Sequence, residues 1–527
     1  MTFLQSIPAF FLLALPWLNP FAPGPSPAVV PWLLALAAMA GLLLLASRRV
    51  GTGNPGADLS FAQRWAGPLA WALVIAGIAS SVMGLLQYFG AAAALEPWVK
   101  QGTFGEAFAN LRQRNQFASL TNMALTALLW LAGNARMAQG LTSRFADFPK
   151  LPAQPVWLLA AALLAAGNAA SSSRTGMLQL VLLCGLFCLW GGWRQRVARR
   201  ILLVALLVYG LSTLLLPWLA GFDPFSQGMF ARLRDGDGVC ESRRALWSNV
   251  LHLIAQKPWL GWGWGELDYA HYMTLYEGVR FCEILDNAHN LPLHLAVELG
   301  LPLALLACAA LLWWVMRQQP WNETRPTRQM AWGVLAVIGL HSLLEYPLWY
   351  GPFQMTAIFC VGLLWRRSPA APPPQYNPII PLAHTLRVLT AIVLIATGFY
   401  AGWDYHRVSQ LYLAPEARAA AYREDALGKA RASWLFANQV QFAELTITPL
   451  SRSNAQWTFD TATALLHYSP EPRIIEKVIE SAVMLGRDDE ALTHLARFRA
   501  AFPKDYTAWT RGNSRTSERL EGLDLPN

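Results

Sequence analysis

Residues 201–220 read ILLVALLVYGLSTLLLPWLA. The 70 residues after them, 221–290, form a polar loop that ends in Asp286-Asn-Ala-His289-Asn290 before a second apolar run at 291–315. About 20 apolar residues match the hydrocarbon thickness of a bilayer, so 201–220 predicts one membrane crossing. The same criterion finds ten more: 3–20, 28–46, 66–90, 116–134, 154–170, 175–192, 291–315, 329–346, 353–365 and 386–403. The fold class that follows is an all-α polytopic membrane protein of about 11 transmembrane helices, with one large loop and a helical soluble tail.

Composition agrees. The chain has 527 residues, 54% of them hydrophobic and 14% charged, and its 24 tryptophans accompany a mean hydropathy of +0.30. A soluble protein of that size would need far more polar surface. The formal net charge of +9 sits largely in short loops between apolar segments, where it sets orientation; nucleic acid is therefore not an expected partner. The first apolar stretch has no basic region before it and no small-residue cleavage site after it, which predicts a retained helix.

With Met1 in the cytoplasm, the loops on that side hold fifteen basic residues, including Arg48, Arg49, Arg144, Lys150, Arg199, Arg325 and Arg366. The short outer loops hold four: Lys100, Arg112, Arg114 and Arg174. The positive-inside bias then puts the 221–290 loop and everything after Trp403 in the periplasm of a Gram-negative cell. The expected organisation is a transmembrane catalytic domain over 1–365, a cytoplasmic proline-rich linker over 366–385, a last membrane helix over 386–403 and a periplasmic helical domain over 404–527. In that last domain Gly486-Arg-Asp-Asp-Glu-Ala-Leu followed by Ala500-Ala-Phe-Pro503 resembles one tetratricopeptide repeat. Four of the six cysteines, Cys184, Cys188, Cys308 and Cys360, fall in apolar segments and read as small buried hydrophobes. Cys240 and Cys282 lie in the loop, where an oxidising space would let them pair.

The loop also holds the chemistry. Leu246, Val250, Leu253 and Ile254 recur at helical spacing and predict an amphipathic helix ending near Pro258, with Arg243 and Trp247 one turn apart. Gly261-Trp-Gly263-Trp-Gly265 opens no βαβ unit and so reads as an aromatic-rich re-entry toward the membrane surface, not a nucleotide loop. Asn287 or Asn290 suits a helix cap and Pro292 a first turn. His289 then stands at the positive end of a helix, which favours an anionic group. Ser171-Ser-Ser-Arg174-Thr-Gly176 supplies a further outer arginine, and two arginines with one histidine on one face would suit a pyrophosphate. Blander readings stand beside these: a lone histidine is more often structural, a helix-end arginine often snorkels, and Glu345 is an ordinary helix-end carboxylate. Arg114-Asn115-Gln116 and Glu345-Tyr346 are two more polar patches on the same predicted side.

These motifs resemble a known family. Arg174 in S-S-R-T-G, Arg243 before Trp247 and K-P-W-L-G-W-G, and His289-Asn290 followed by Gly300 look like the signature of the O-antigen ligase and polymerase (Wzy_C) superfamily over roughly 100–365. Within it, R-Q-R-N-Q-F-A at 112–118 and E-Y-P-L-W-Y at 345–350 are similar to protein O-oligosaccharyltransferases of the pilin-glycosylation (PglL) type. Leu303 departs from the ligase pattern, which carries a small residue or tyrosine there. The resemblance implies a GT-C-like, lipid-donor glycosyltransferase that needs neither metal nor other cofactor. Its donor would be a glycan on undecaprenyl pyrophosphate, its acceptor a Ser or Thr hydroxyl of an exported, pilin-like protein. His289 becomes the candidate general base, since an imidazole's ordinary pKa lies near working pH. Arg174 with Arg243 or Arg244 would hold the pyrophosphate, and Arg114, Asn115, Gln116, Asn290, Glu345 and Tyr346 would position donor or acceptor. His289 could instead bind pyrophosphate and leave the base role to Glu345. A glycan polymerase or O-antigen ligase and, further off, a membrane transporter are the rival readings.

Overall fold

The computed structural model describes residues 3–22, 24–47, 61–134, 153–236, 238–365 and 379–512. Arg48, Arg49, Arg144, Lys150 and Arg366 of the orientation argument, most of the 366–385 linker and the last residues of the tail lie outside them. Among the described residues the chain is helical, with no strand. The helices in order are α1 (Phe3–Leu18), α2 (Val29–Ser47), α3 (Phe61–Tyr88), α4 (Arg114–Gly133), α5 (Ala153–Ala170), α6 (Arg174–Leu189), α7 (Arg196–Leu219), α8 (Met229–Asp235), α9 (Arg243–Gln256), α10 (Leu267–Met273), α11 (Leu291–Leu299), α12 (Leu301–Gln318), α13 (Pro326–Ser342), α14 (Gly351–Leu364) and α15 (Ile379–Ser409). The tail adds α16 (Ala426–Ala430), α17 (Ala437–Ile447), α18 (Ala455–Leu465), α19 (Pro472–Leu485), α20 (Asp488–Ala501) and α21 (Pro503–Gly512).

Among the described residues five helical stretches are long and apolar enough to cross a bilayer: Val29–Ser47, Arg64–Tyr88, Arg196–Leu219, Leu301–Asn322 and His384–Tyr412. Four shorter apolar helices accompany them, and the chain is a polytopic membrane protein. The predicted crossing at 291–315 is corrected: it is two helices, broken at Gly300. Gly300 has φ +85°, ψ 160°, a region open essentially to glycine alone, and Pro302 then sits in the first turn of α12, where its missing N–H costs nothing. The carbonyls freed by the break are not left bare. Trp262 N–H donates to Val297 O at 2.9 Å and Gly263 N–H to Glu298 O at 3.0 Å, while Leu301 N–H donates to Pro258 O at 2.8 Å. The cysteine expectation is also amended: of the four, Cys360 is buried, Cys184 and Cys308 are half-buried, and Cys188 is exposed.

The chain divides into two compact units. The first comprises 1–236 and 315–402, and its axis is α4, in which residues 116–132 are all buried. α4 packs on α3, α5, α6 and α13. Its approach to α6 requires Gly176: a Cβ there would lie 2.5 Å from Ala118 Cβ and 2.4 Å from Asn168 Oδ1, the small-residue contact that lets membrane helices close up.

The second unit comprises 237–314 and 403–527. α19 buries Ile474, Ile475, Val478, Ile479 and Ala482, one stripe of a 3.6-residue period. Tyr272 of α10 joins that core, alongside Leu445 and Phe498, and its hydroxyl shares a 2.9 Å hydrogen bond with His494 Nδ1. Gly486, left-handed at φ +74°, ends α19 and lets α20 turn back onto it.

Candidate functional site

In the second unit, Ser242 caps α9, its Oγ accepting from Ala245 N–H at 3.2 Å. Arg243 and Arg244 therefore occupy the first turn; Arg243 is half-buried and Arg244 exposed. Leu246, Val250, Leu253 and Ile254 are buried as their spacing predicts, against Phe281, Leu285, Ala288 and Val297. Two links fix this helix to the segment before α11. Trp247 Nε1 donates to Ala288 O at 3.1 Å, and Cys240 is joined to Cys282 by a disulfide.

His289 follows at once. Its backbone is left-handed, φ +49°, a region in which His and Asn are enriched among non-glycine residues. Its N–H donates to Asn287 Oδ1 at 2.9 Å. Asn290 caps α11, its Oδ1 accepting from Leu293 N–H at 3.1 Å, so both asparagines that compete for the cap in the sequence have work: one turns the chain, the other starts the helix. His289 stands just outside the positive end of α11. Sequence reasoning missed His294 and Glu298, one and two turns further along that helix. Their side chains are 3% and 1% exposed, with Nε2 and Oε2 3.4 Å apart. The i, i+4 spacing of a histidine and a glutamate in an apolar run was the available signal.

Closing the disulfide removes disorder from a 42-residue loop in the unfolded chain, which by loop-closure entropy contributes about 4 kcal/mol. Cys240→Ser with Cys282→Ser is expected to lower the melting temperature of the purified protein. Unchanged melting in the double variant would remove the pair from any structural role.

Behind this face, Asp268 and His271 of α10 are both buried. Burial pushes the Asp268 carboxyl up to about 8, with Asp286 and Glu266 adding to the rise. Burial and the Arg280 charge push His271 down to about 3. His271 Nε2 lies 3.1 Å from Phe281 O; a carbonyl only accepts, so Nε2 carries the proton and Nδ1 accepts from Tyr276 Oη at 2.8 Å. Because the folded pKa of Asp268 lies above its ordinary 3.8, its contribution to stability is complete at low pH and is lost as pH rises toward about 8. Asp268→Asn is expected to flatten that dependence, read as melting temperature against pH from 5 to 8.5.

In the first unit the structure joins three patches that are far apart in sequence. Ser173 caps α6 by accepting from Gly176 N–H at 2.9 Å and donates through the same hydroxyl to Asn115 Oδ1 at 2.6 Å. Asn115 Nδ2 donates in turn to Glu345 Oε1 at 3.2 Å. Arg174 begins α6 directly after that cap. Glu345 is 7% exposed and so is not the solvated carboxylate that was one reading of it. Arg114 pairs with Glu106 at 2.9 Å, Gln116 is buried in α4, and Tyr346 is half-buried beside Glu345.

A second polar line, also missed, runs deeper between the same helices. Gln179 Nε2 donates to Ser119 Oγ at 2.7 Å, which meets His341 Nδ1 at 2.9 Å. Asn122 Nδ2 donates to Gln179 Oε1 at 3.2 Å and to Gly176 O at 3.0 Å. Asn115, Ser119 and Asn122 recur at i, i+4 and i+7, so their common face was legible. Ser173→Ala removes a cap and one end of the upper chain, at a cost of about 1 kcal/mol. Asn115→Ala leaves the buried Glu345 carboxylate without that donor and is expected to cost more; equal melting temperatures for the two variants would contradict this ordering. Among the described residues no three His, Cys, Asp or Glu side chains gather as a metal site requires.

Residues 107–132 match the protein glycosylation ligase family, 159–308 the O-antigen ligase family, and 329–516 a family described as virulence factor membrane-bound polymerase, C-terminal. The chain is 25% identical over 275 residues to a general O-oligosaccharyltransferase of Acinetobacter baylyi, a match covering 50% of this chain and 44% of that one. It is likewise 25% identical over 263 residues to the ComP-specific O-oligosaccharyltransferase of the same organism, covering 49% and 44%. The matched region thus spans less than half the length of either relative. No solved structure matches the chain. On these matches the chain is similar to protein O-oligosaccharyltransferases of the PglL type and, over 159–308, to the O-antigen ligase (Wzy_C) family.

Proposed function

We propose that the protein transfers a preassembled glycan en bloc from undecaprenyl pyrophosphate to Ser or Thr hydroxyls of exported, pilin-like proteins at the periplasmic face of the inner membrane, as an eleven-span enzyme that uses no metal. The observation that carries this is the setting of His289: a capped, positive helix end tied through Trp247 and the Cys240–Cys282 bridge to the helix that begins with Arg243, inside the segment that matches the O-antigen ligase family.

The acceptor oxygen attacks the anomeric carbon, its proton passes to His289, and the bond from that carbon to the pyrophosphate oxygen breaks. Undecaprenyl pyrophosphate leaves with the added negative charge. Arg243 and Arg244 in the first turn of α9, and Arg174 in its S-S-R-T-G motif, are assigned to that charge. Asn115 and Glu345 are assigned to positioning, with Arg114, Gln116 and Tyr346 beside them.

Purified protein in bilayers, given lipid-linked glycan and a pilin-like acceptor, is expected to yield glycosylated acceptor by mass spectrometry. No product, in the presence of a donor used by a known transferase, would overturn the reading. The polymerase-family match at 329–516 favours a second reading, in which the acceptor is another glycan; lengthened lipid-linked glycan in place of glycoprotein would select it.

A further inference from the structure

The turn between α9 and α10 holds three large apolar residues in four positions. Trp262 points inward, its Nε1 donating to Leu253 O at 3.0 Å with Lys257 Nζ 4.0 Å above the ring. Trp259 and Leu260 point outward and are 76% and 85% exposed. This exposure is built in. Gly261 N–H bonds back to Lys257 O at 3.1 Å, and Trp262, Gly263 and Pro258 bond to the backbone on either side of Gly300, so the turn is fastened to the seam between α11 and α12.

That attachment says what covers the two side chains. α12 opens the membrane-crossing stretch Leu301–Asn322, and its Leu303, Leu305 and Leu306 are 49%, 65% and 65% exposed, as lipid-facing leucines must be. Gly300 packs directly on Trp259 and Leu260, so the turn continues that apolar surface past the end of the helix. Its composition matches the depth. Tryptophan prefers the headgroup level, and the exposed Lys257 ammonium beside it suits lipid phosphates.

We propose that the Lys257–Trp262 turn is a lipid-binding knuckle, with Trp259 and Leu260 inserted into the leaflet from which α12 departs. Through the Gly300 seam the bilayer surface then fixes the height of α11, and with it of His289. The partner is the lipid surface itself, not a protein groove.

The test requires no glycan transfer. In a background with Cys184→Ala, Cys188→Ala, Cys308→Ala and Cys360→Ala, the Cys240–Cys282 bridge is kept and Leu260→Cys is spin-labelled. The protein is placed in nanodiscs of phosphatidylethanolamine and phosphatidylglycerol. Power saturation compares accessibility to oxygen with accessibility to a water-soluble nickel chelate; Leu306→Cys serves as the lipid reference and the exposed Glu277→Cys as the aqueous one. The oxygen-to-nickel ratio at position 260 is expected to rise well above that at 277, toward that at 306. A ratio equal to that at 277 overturns the proposal, and so does exclusion of both relaxants, which would mean that a protein surface or a second copy covers the turn. Trp259→Cys gives the same reading should the Leu260 variant fail to fold.

Discussion

His289→Asn is expected to lower glycan transfer by roughly 10²–10⁴-fold, the contribution of a positioned general base, with normal amounts of the protein in the membrane. Asparagine is the informative replacement because His289 is left-handed at φ +49°; asparagine tolerates that backbone where alanine does not, so a loss of activity reports the imidazole and not the turn. Arg243→Ala is expected to cost on the order of 3 kcal/mol of transition-state stabilisation, about a hundredfold in rate, if the guanidinium meets the leaving pyrophosphate. The two losses separate by pH. Removing a base should abolish the acid limb of the rate profile, whereas removing a phosphate ligand should leave it in place and raise KM for the lipid-linked donor. Full activity in a well-expressed His289→Asn protein would falsify the assignment. A profile that keeps its acid limb would move the base to another group, with Glu345 the first to be replaced.

What the sequence carried, it carried through periodicity and punctuation. Leu246, Val250 and Leu253 recur at helical spacing and are buried at 0%, and Asn290 before a proline marks the start of α11. Each predicted apolar segment coincides with a helix except at Gly300, where apolar residues run on without a gap while the backbone turns aside. Hydropathy averages over such a break; a single glycine with a proline two residues on, Gly300-Leu301-Pro302, was the sign. The polar lines along α4 were harder to see because Ser119 and Asn122 are diluted by leucine and alanine, and the side-chain partners of each come from other helices: α6 and α13 for Ser119, α5 and α6 for Asn122. Pairing across 230 residues, as between Asn115 and Glu345, leaves no local trace in one chain. The packing of Tyr272 among α17–α21 is of the same kind: an aromatic in a short helix, unremarked until its neighbours are in place.

Gly300→Ala is expected to be the most damaging single methyl group in the chain. At φ +85°, ψ 160° an L-residue already carries about 1–3 kcal/mol of backbone strain. The added Cβ would also lie 2.2 Å from Trp259 O and 2.5 Å from Trp259 C, and a backbone obstruction of that kind is not relieved by turning a side chain. Gly261→Ala meets the same seam from the other side: φ is +70° and the Cβ would lie 2.3 Å from Glu298 O. Either substitution must push the 258–263 turn off the α11–α12 junction. The N–H donors of Trp262 and Gly263 then leave the carbonyls of Val297 and Glu298 unsatisfied beside a bilayer, where each such group costs several kcal/mol. Against a total stability of roughly 5–15 kcal/mol, little folded protein should remain, read as membrane abundance and as melting temperature in detergent. Gly185→Ala is the control, since nothing lies within 4 Å of its Cβ position and alanine in a helix is neutral to favourable by up to about 1 kcal/mol. Normal abundance and melting for Gly300→Ala would show that the chain can run from α11 into α12 without the break. The turn would then be free of the helix whose height it is proposed to set.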